Sequence, residues 1–347
     1  MEMKNTKRLF IVLGTSILIL LLWAAIHSTP VIAATPSGSG FFVKARLPEN
    51  QLNQTVSYFD LRMQPSQTQI LEVEITNDFD TPISVNIEAI SASTNRNGII
   101  DYKTPDIQDE SLHTPLSDIV TASEETLVIL GNSTQIATFT VIMPDDSFDG
   151  TILGGLVFTR EVDEEIQGDS TIINNMFSYV IGLKLSELDT IILPEFEIVK
   201  VFPETVNYRP SFTHSIRNMR PLIIKGMNVR ATVRDKSGAI QATTSMMNVD
   251  MAPNSIMPLG AAPENGLLAP GKYHSAIELE YDGDIFTFDV PFTIEDTDAE
   301  QINAESVTKT SQTHNLLPLI LIIALTIIIF LVLLFFKKKK DEKNEHI

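Results

Sequence analysis

Two short patterns in this sequence place residue types at spacings that chemistry uses. Asp145, Ser147, Asp149 and Gly150 occupy positions 1, 3, 5 and 6 of a calcium loop of the EF-hand kind, in which alternate oxygen donors surround a hard cation. Position 12 of such a loop supplies a bidentate glutamate, and here it is Leu156, inside an apolar run. An acidic turn entering a strand is therefore expected, with a Ca²⁺ of another geometry as the alternative, and no metal ligand is assigned. Ser306-Val307-Thr308-Lys309 has the S-x-x-K spacing that lets a lysine activate a serine. It lies in a polar, aperiodic stretch where no pocket would form around it. Within residues 41–295 the histidines are His113, His214 and His274, no two of them close in sequence, and His274 points out of its strand by parity. Nothing matches H-E-x-x-H, G-x-S-x-G, a Walker loop or a glycine-rich dinucleotide turn. The chain has no cysteine, which removes a disulfide scaffold, a zinc-thiolate site and a cysteine nucleophile together. Paired carboxylates, as in a glycosidase, are the one catalytic arrangement left. Among 24 acidic side chains between residues 41 and 190 some pair can always be chosen, so that pattern carries no information. No catalytic residue and no cofactor is assigned.

The elements that would position functional groups read as strands. Leu71, Val73 and Ile75 alternate with Glu72, Glu74 and Thr76, and Ile83, Val85, Ile87 and Ala89 alternate with Ser84, Asn86 and Glu88. Period two with charge on the opposite face marks half-buried strands. Further strands are expected at residues 41–46, 58–62, 135–143, 152–160 and 176–185, with one short helix near 114–120. After Leu193-Pro194 the pattern restarts, with strands at 196–206, 211–217, 227–233, 240–249, 273–281 and 284–294. Asp282-Gly283 between two alternating runs is a strong hairpin signal. Phe286, Phe288, Val290, Phe292 and Ile294 share one face, while Pro291 demotes that strand to an edge or terminus. The fold class expected is all-β: two tandem immunoglobulin-like antiparallel β-sandwiches over residues 41–190 and 191–295, then a polar stalk over 296–315.

The two ends fix a compartment. Lys4, Lys7 and Arg8 precede an uncharged run from Leu9 to Ile26, and Ala33 and Ala34 follow, which is the pattern of a signal peptide over residues 1–34 cleaved after one of those alanines. The alternative is an uncleaved anchor. Leu316 to Phe336 carries no charge over 21 residues, roughly 32 Å of helix at ~1.5 Å per residue. Lys337 to Lys340 follow, so a transmembrane helix at 316–336 with a cytoplasmic basic tail at 337–347 is expected, the rest lying outside. Asn315-Leu316-Leu317-Pro318 lacks the Thr-Gly of a cell-wall sorting motif, which favours membrane anchoring. A large exported region without cysteine is ordinary for a Gram-positive bacterium, and the expected location is a single-pass membrane protein with its ectodomain in the cell wall.

Charge separates the halves. The chain has 25 Lys+Arg against 44 Asp+Glu, net −19, which excludes nucleic-acid binding through phosphate neutralisation. Residues 41–190 hold 7 basic and 24 acidic groups; residues 191–295 hold 9 and 12, and seven of those nine fall within 209–236. With Met227, Val229, Ala231 and Val233 facing inward, Arg230 and Arg234 share the solvent face about 13 Å apart by strand rise. Arg217, Arg230 and Arg234 are the candidate partner-binding residues, against the plainer reading of a solvated face that protects a sheet edge.

Several segments carry a resemblance. Leu47-Pro48-Glu49-Asn50-Gln51 follows the first strand, and Tyr58-Phe59-Asp60-Leu61 comes next; Thr94-Asn95-Arg96-Asn97-Gly98-Ile99 precedes Tyr102. Met143-Pro144 leads through Phe148-Asp149-Gly150 to Ile152-Leu153-Gly154-Gly155, and Tyr179-Val180-Ile181-Gly182-Leu183 closes the domain. In order and spacing these resemble the WxL-interacting proteins of low-GC Gram-positive bacteria, and the second domain, span and lysine tail fit that architecture. The resemblance implies a non-catalytic surface scaffold that cooperates with WxL-domain proteins, binds peptidoglycan through the first domain and meets host or partner proteins through the second. The WxL signature itself is absent, since the single Trp23 lies in the signal segment. Glycans are held by aromatic faces and hydrogen bonds. The candidate glycan-binding residues are therefore Tyr58, Tyr102, Phe148 and Tyr179, with Asp149 and with Gly150, Gly154 and Gly155, which leave backbone open beside a strand. The alternative function is a stand-alone adhesin for host matrix proteins; recovery of a WxL-domain protein from cell envelopes separates the two.

The terminal patterns predict that the protein stays with membranes after cell-wall digestion, and that protease on intact protoplasts removes residues 35–315. Release of the whole protein by muramidase alone contradicts the anchoring.

Overall fold

A computed structural model of the chain describes residues 40–103, 109–161 and 177–306. The expected signal peptide, membrane span and basic tail lie outside the described residues. Among those described, no helix is long and apolar enough to cross a membrane.

The first sandwich contains β1 (Phe41–Arg46), β2 (Phe59–Arg62), β3 (Thr68–Asn77), β4 (Ile83–Ser91), β7 (Val120–Ala122), β8 (Thr126–Ile129), β9 (Ser133–Ile142), β10 (Ile152–Arg160) and β11 (Ser178–Ser186). One sheet runs β1-β3-β9-β7 and the other β2-β11-β10-β4-β8. Alternation decides which face turns in: Leu71, Val73 and Ile75 meet Phe139, Phe158 and Leu183 in one core, all essentially fully buried. Burial of each such side chain contributes about 1.5–3 kcal/mol. One pairing departs from the antiparallel expectation, because β2 lies parallel to β11. A four-residue helix, α1 (Leu116–Ile119), sits within the expected stretch and buries Leu116 and Ile119.

The second sandwich has seven strands: β12 (Phe196–Val206), β13 (Arg209–Asn218), β14 (Ile224–Asp235), β15 (Ile240–Met251), β16 (Ser255–Ala261), β17 (Gly271–Tyr281) and β18 (Asp284–Ile294). They form sheets β12-β13-β16 and β15-β14-β17-β18. Asp282 and Gly283 take φ of 52° and 88°, the two left-handed residues that a tight hairpin between twisted strands requires. Pro291 lies on edge strand β18, where its missing N–H costs no ladder bond. The expected stalk over 296–315 opens with a helix rather than aperiodic chain. Residues 296–305 form α2 (Asp296–Glu305), whose Ala299 and Ile302 close one end of the core against Phe212 and Leu268. Asn303 fastens α2 by bonding the Leu268 N–H at 2.9 Å and its carbonyl at 2.8 Å.

A small ribbon from the first domain reaches across to the second. β5 (Ser93–Thr94) pairs with β6 (Ile100–Asp101) around Gly98, whose φ is +67°. A Cβ on Gly98 would stand 2.9 Å from both Met246 Sδ and Val249 Cγ2, so the ribbon tip fits on β15 only as glycine. The Asp250 N–H donates to the Gly98 carbonyl at 2.8 Å. Thr94 and Ser255 are both buried, with their hydroxyl oxygens 2.7 Å apart. Ser255 donates to the Ala252 carbonyl and the Ala252 N–H donates to Thr94, which leaves the Thr94 hydroxyl to donate to Ser255.

His214 is fully buried between the sheets of the second sandwich. Its Nδ1 lies 3.0 Å from the Leu259 carbonyl, so Nδ1 carries the proton, and the Ser275 hydroxyl donates to Nε2 at 2.8 Å. Burial lowers its pKa, with the Leu259 carbonyl acting the other way. As pH falls below the ordinary histidine value of about 6.5, the unfolded chain takes up a proton that the folded chain refuses. Stability should therefore fall as pH drops toward the depressed folded value, and His214→Gln should remove that part of the acid slope. Parallel stability curves for the two proteins between about pH 7.5 and 5 contradict this assignment.

Candidate functional site

On β10, Leu156 and Phe158 point into the core, which turns Gly155 and Val157 to the outer face. On β11, Ile181 and Leu183 point inward and leave Val180, Gly182 and Lys184 outside. Gly155 and Gly182 are direct partners in the β10–β11 register, so two missing side chains make one shelf on the outside of the five-stranded sheet. Tyr102, the residue after β6, lies on that shelf. A Cβ on Gly155 would come within 2.9 Å of Tyr102 Cδ1 and 2.6 Å of Val180 Cγ1; one on Gly182 would stand 3.4 Å from Tyr58 Cβ and 4.0 Å from Tyr102 Oη. The glycines are what let the two rings approach the sheet.

Tyr58 is 38% exposed and Tyr102 is half-buried. Burial, and then the neighbouring Tyr58, raise the Tyr102 pKa, so its phenol is a proton donor throughout the neutral range. Beside them on the same face Lys184 Nζ pairs with Asp60 Oδ1 at 3.1 Å. Aromatic surface, a phenol and an ammonium–carboxylate pair on one shallow face can stack a sugar ring and hydrogen-bond its substituents. Gly182, Lys184 and Asp60 are absent from the sequence-based candidates, although the parity of Gly182 against Leu183 marks its outward position.

The other candidate glycan residues lie elsewhere. Tyr179 packs on the core with its ring edge-on to Phe41 at 4.9 Å, and Phe148 also packs there, its N–H bonded to Glu187 at 3.2 Å. Gly154 faces inward, where a Cβ would stand 2.4 Å from Leu116 Cδ2. Gly150 serves the domain junction: its φ is +88°, and a Cβ would stand 2.3 Å from the Pro221 carbonyl oxygen. Asp149 accepts from Thr190 at 2.7 Å, Asp145 from Ser66 at 2.6 Å, and Ser147 donates to Glu187 at 2.6 Å. The three calcium-loop positions thus have separate partners, and among the described residues no group of three or more His, Asp or Glu is placed to hold a metal ion.

Arg217 requires a correction. It is buried rather than displayed, and it binds Asp109 at 2.9 Å, Glu110 at 3.0 Å and Glu197 at 2.6 Å. Two of those carboxylates come from the first domain, whose loop covers this part of β13. Burial opposes its charge, but the hydrogen bonds it donates to Asp109 and Glu197 win, and its pKa lies above the usual arginine value. Arg230 and Arg234 do stand exposed on the outer face of β14. Arg230 meets Glu278 across the strands at 3.1 Å, and Arg234 donates to the Gly238 carbonyl at 3.1 Å.

Two β-sandwiches with a shallow aromatic face on one and an exposed arginine pair on the other define a two-module, all-β binding protein. The chain belongs to the WxL Interacting Protein family: residues 41–160 match its peptidoglycan binding domain, and residues 169–304 match its host binding domain. No curated protein matches the sequence. Among solved structures, the chain is similar to the CupB2 chaperone of Pseudomonas aeruginosa at 13% identity, covering 64% of this chain and 91% of that one with a TM-score of 0.27. It is also similar to the E. coli chaperone DraB at 12% identity, covering 72% and 95% with a TM-score of 0.26. At such scores these likenesses carry no argument.

Replacement of Gly155 by valine should force Tyr102 off the shelf at a cost of about 1–3 kcal/mol, the usual penalty for overpacking a filled site. Denaturation together with Tyr102 solvent accessibility measures both effects; an unchanged Tyr102 environment in Gly155→Val contradicts the geometry.

Proposed function

We propose that this chain is a non-catalytic surface protein that grips peptidoglycan through the outer aromatic face of its first sandwich and a protein partner through its second. The names of the two matched family domains, peptidoglycan binding and host binding, support the division of labour. The observation that carries the glycan half is that Tyr58 and Tyr102 both approach Gly182, the register partner of Gly155, on an outward sheet face. A floor without side chains leaves both aromatic residues room on that face. The Tyr102 phenol and the Lys184–Asp60 pair supply the polar contacts that hydroxyl and acetamido groups need.

In this reading the uncharged run at 316–336 anchors the chain to the membrane, the signal segment directs its export, and the domains work within a Gram-positive wall. WxL-domain surface proteins are the expected partners, as the family name suggests, and the protein tethers them beside the peptidoglycan it holds. Arg230 and Arg234 are the exposed cations offered to such a partner. Arg217 is withdrawn from that role.

The test uses the full chain and purified peptidoglycan stripped of teichoic acid. Tyr58→Ala and Tyr102→Ala should each weaken sedimentation with peptidoglycan about tenfold, the equivalent of roughly 1.4 kcal/mol for one lost aromatic contact. Phe148→Leu and Tyr179→Phe, altered on the core side, should bind as the unaltered protein does. Unchanged binding by both alanine variants overturns the assignment of this face.

A further inference from the structure

The two matched segments do not coincide with the two sandwiches. β11 begins at Ser178, inside the segment matched as host binding, yet it pairs with β10 and β2 and so occupies an interior position in the first sandwich. Gly182 and Lys184 of the glycan face therefore come from the second matched segment. The second sandwich also holds the segment that delivers Tyr102. On one side of Tyr102 the β5–β6 ribbon is fixed by Thr94 to Ser255 and Ala252, and by Gly98 to Asp250. On its other side, Asp109 and Glu110 are fixed to Arg217. Arg96 adds a two-point contact to Glu204, at 2.7 and 3.0 Å.

We infer that the peptidoglycan site is completed by the second domain, with Ser255 and Arg217 acting as positioning residues that hold Tyr102 on its glycine shelf. This rests on the reading of the Tyr58–Tyr102 face as the glycan site. Neither positioning residue is among the groups that face a ligand there. Both are buried at the junction: Ser255 touches Thr94 of the ribbon that leads into Tyr102, and Arg217 touches Asp109, seven residues beyond it in sequence. Tyr102 itself follows a two-residue strand pair, which is too short to fix its direction alone. The ties to the second sandwich supply that direction. Binding at the first domain then depends on residues more than 100 positions away, and a ligand that fastens Tyr102 also fastens the junction.

The experiment is a double-mutant cycle on peptidoglycan affinity in the full chain. Ser255→Ala and Arg217→Gln are made singly and in the Tyr102→Ala background, with the melting transition followed for each. A positioning role gives a three- to tenfold loss for each single variant and no additional loss once Tyr102 is gone. The paired exchange Asp109→Arg with Arg217→Glu should recover binding relative to Arg217→Glu alone, and the melting transition of each variant separates a change in affinity from a loss of fold. Wild-type affinity in both single variants overturns the inference, as does a loss of equal size with and without Tyr102. If Arg217→Gln fails to fold, Ser255→Ala and the paired exchange decide the matter by the same criteria. If Tyr58→Ala and Tyr102→Ala both bind as the unaltered protein does, the glycan face itself is wrong and the positioning role falls with it; if Tyr102→Ala alone does so, only the positioning role falls. A weakened Tyr102→Ala beside unaffected junction variants removes only the positioning role.

Discussion

Two hydroxyl groups, on Thr94 and Ser255, sit at the centre of this molecule. Both are removed from water, and an unpaired buried hydroxyl would cost about 1–3 kcal/mol, so each must find a partner. They find each other and the backbone of Ala252, in a ring of donors and acceptors with none left over. The ring ties a ribbon of the first sandwich to the loop before β16 in the second. The place of Gly98 against β15 and the course of the chain toward Tyr102 depend on that tie. At the other side of the junction the Thr151 N–H donates to the Pro221 carbonyl at 2.8 Å, and Gly150 provides the space for it. The sandwiches meet through backbone and hydroxyl hydrogen bonds together with the ion pairs of Arg96 and Arg217, whose directions fix geometry more narrowly than an apolar contact of the same size.

Much of the fold is legible in the sequence because period two is a direct imprint of a sheet with one dry face. The strands with charge between their apolar residues, such as Leu71 to Ile75, are found where alternation puts them. No strand is expected from the sequence where β16 lies; it holds Pro258 and Gly260, which an edge position in the sheet tolerates. α2 has two buried residues in ten, too few to show a helical stripe in a polar text. The site divides in the same way. Tyr179 shares parity with Ile181 and Leu183, so its inward position could be read from the strand alone. Tyr58 opens the expected strand at 58–62 and is outward by parity against Phe59 and Leu61, but Tyr102 lies outside any strand, and only the assembled sheet shows that the two converge. Arg217 points away from its own core as parity requires. That outward face is covered by a loop 108 residues earlier in the chain, a contact that no local pattern encodes.

The strong acidity of the first domain takes on a definite form in three dimensions. Its Arg46, Arg62, Arg96 and Lys184 are each paired with a carboxylate, and Arg160 lies over the rings of Phe79 and Phe177. Exposed pairs of this kind contribute about 0–1 kcal/mol, so their effect on stability is small. Their effect on the surface field is larger. With these cations engaged, the excess of carboxylates gives the first domain a negative exterior, which disfavours polyanionic ligands.

The way α2 is attached bears on how the molecule would respond to tension. Any load drawn through the chain beyond Ser306 reaches this helix before it reaches a strand. The helix is held by Ala299, Ile302 and the two bonds of Asn303, contacts that can be released one after another. β18, next in line, is held to β17 by a ladder of eleven residue pairs. The helix therefore yields first, and its ten residues lengthen by about 20 Å as they pass from ~1.5 to ~3.4 Å per residue. The second domain thus carries a short extensible element in series with its sandwich.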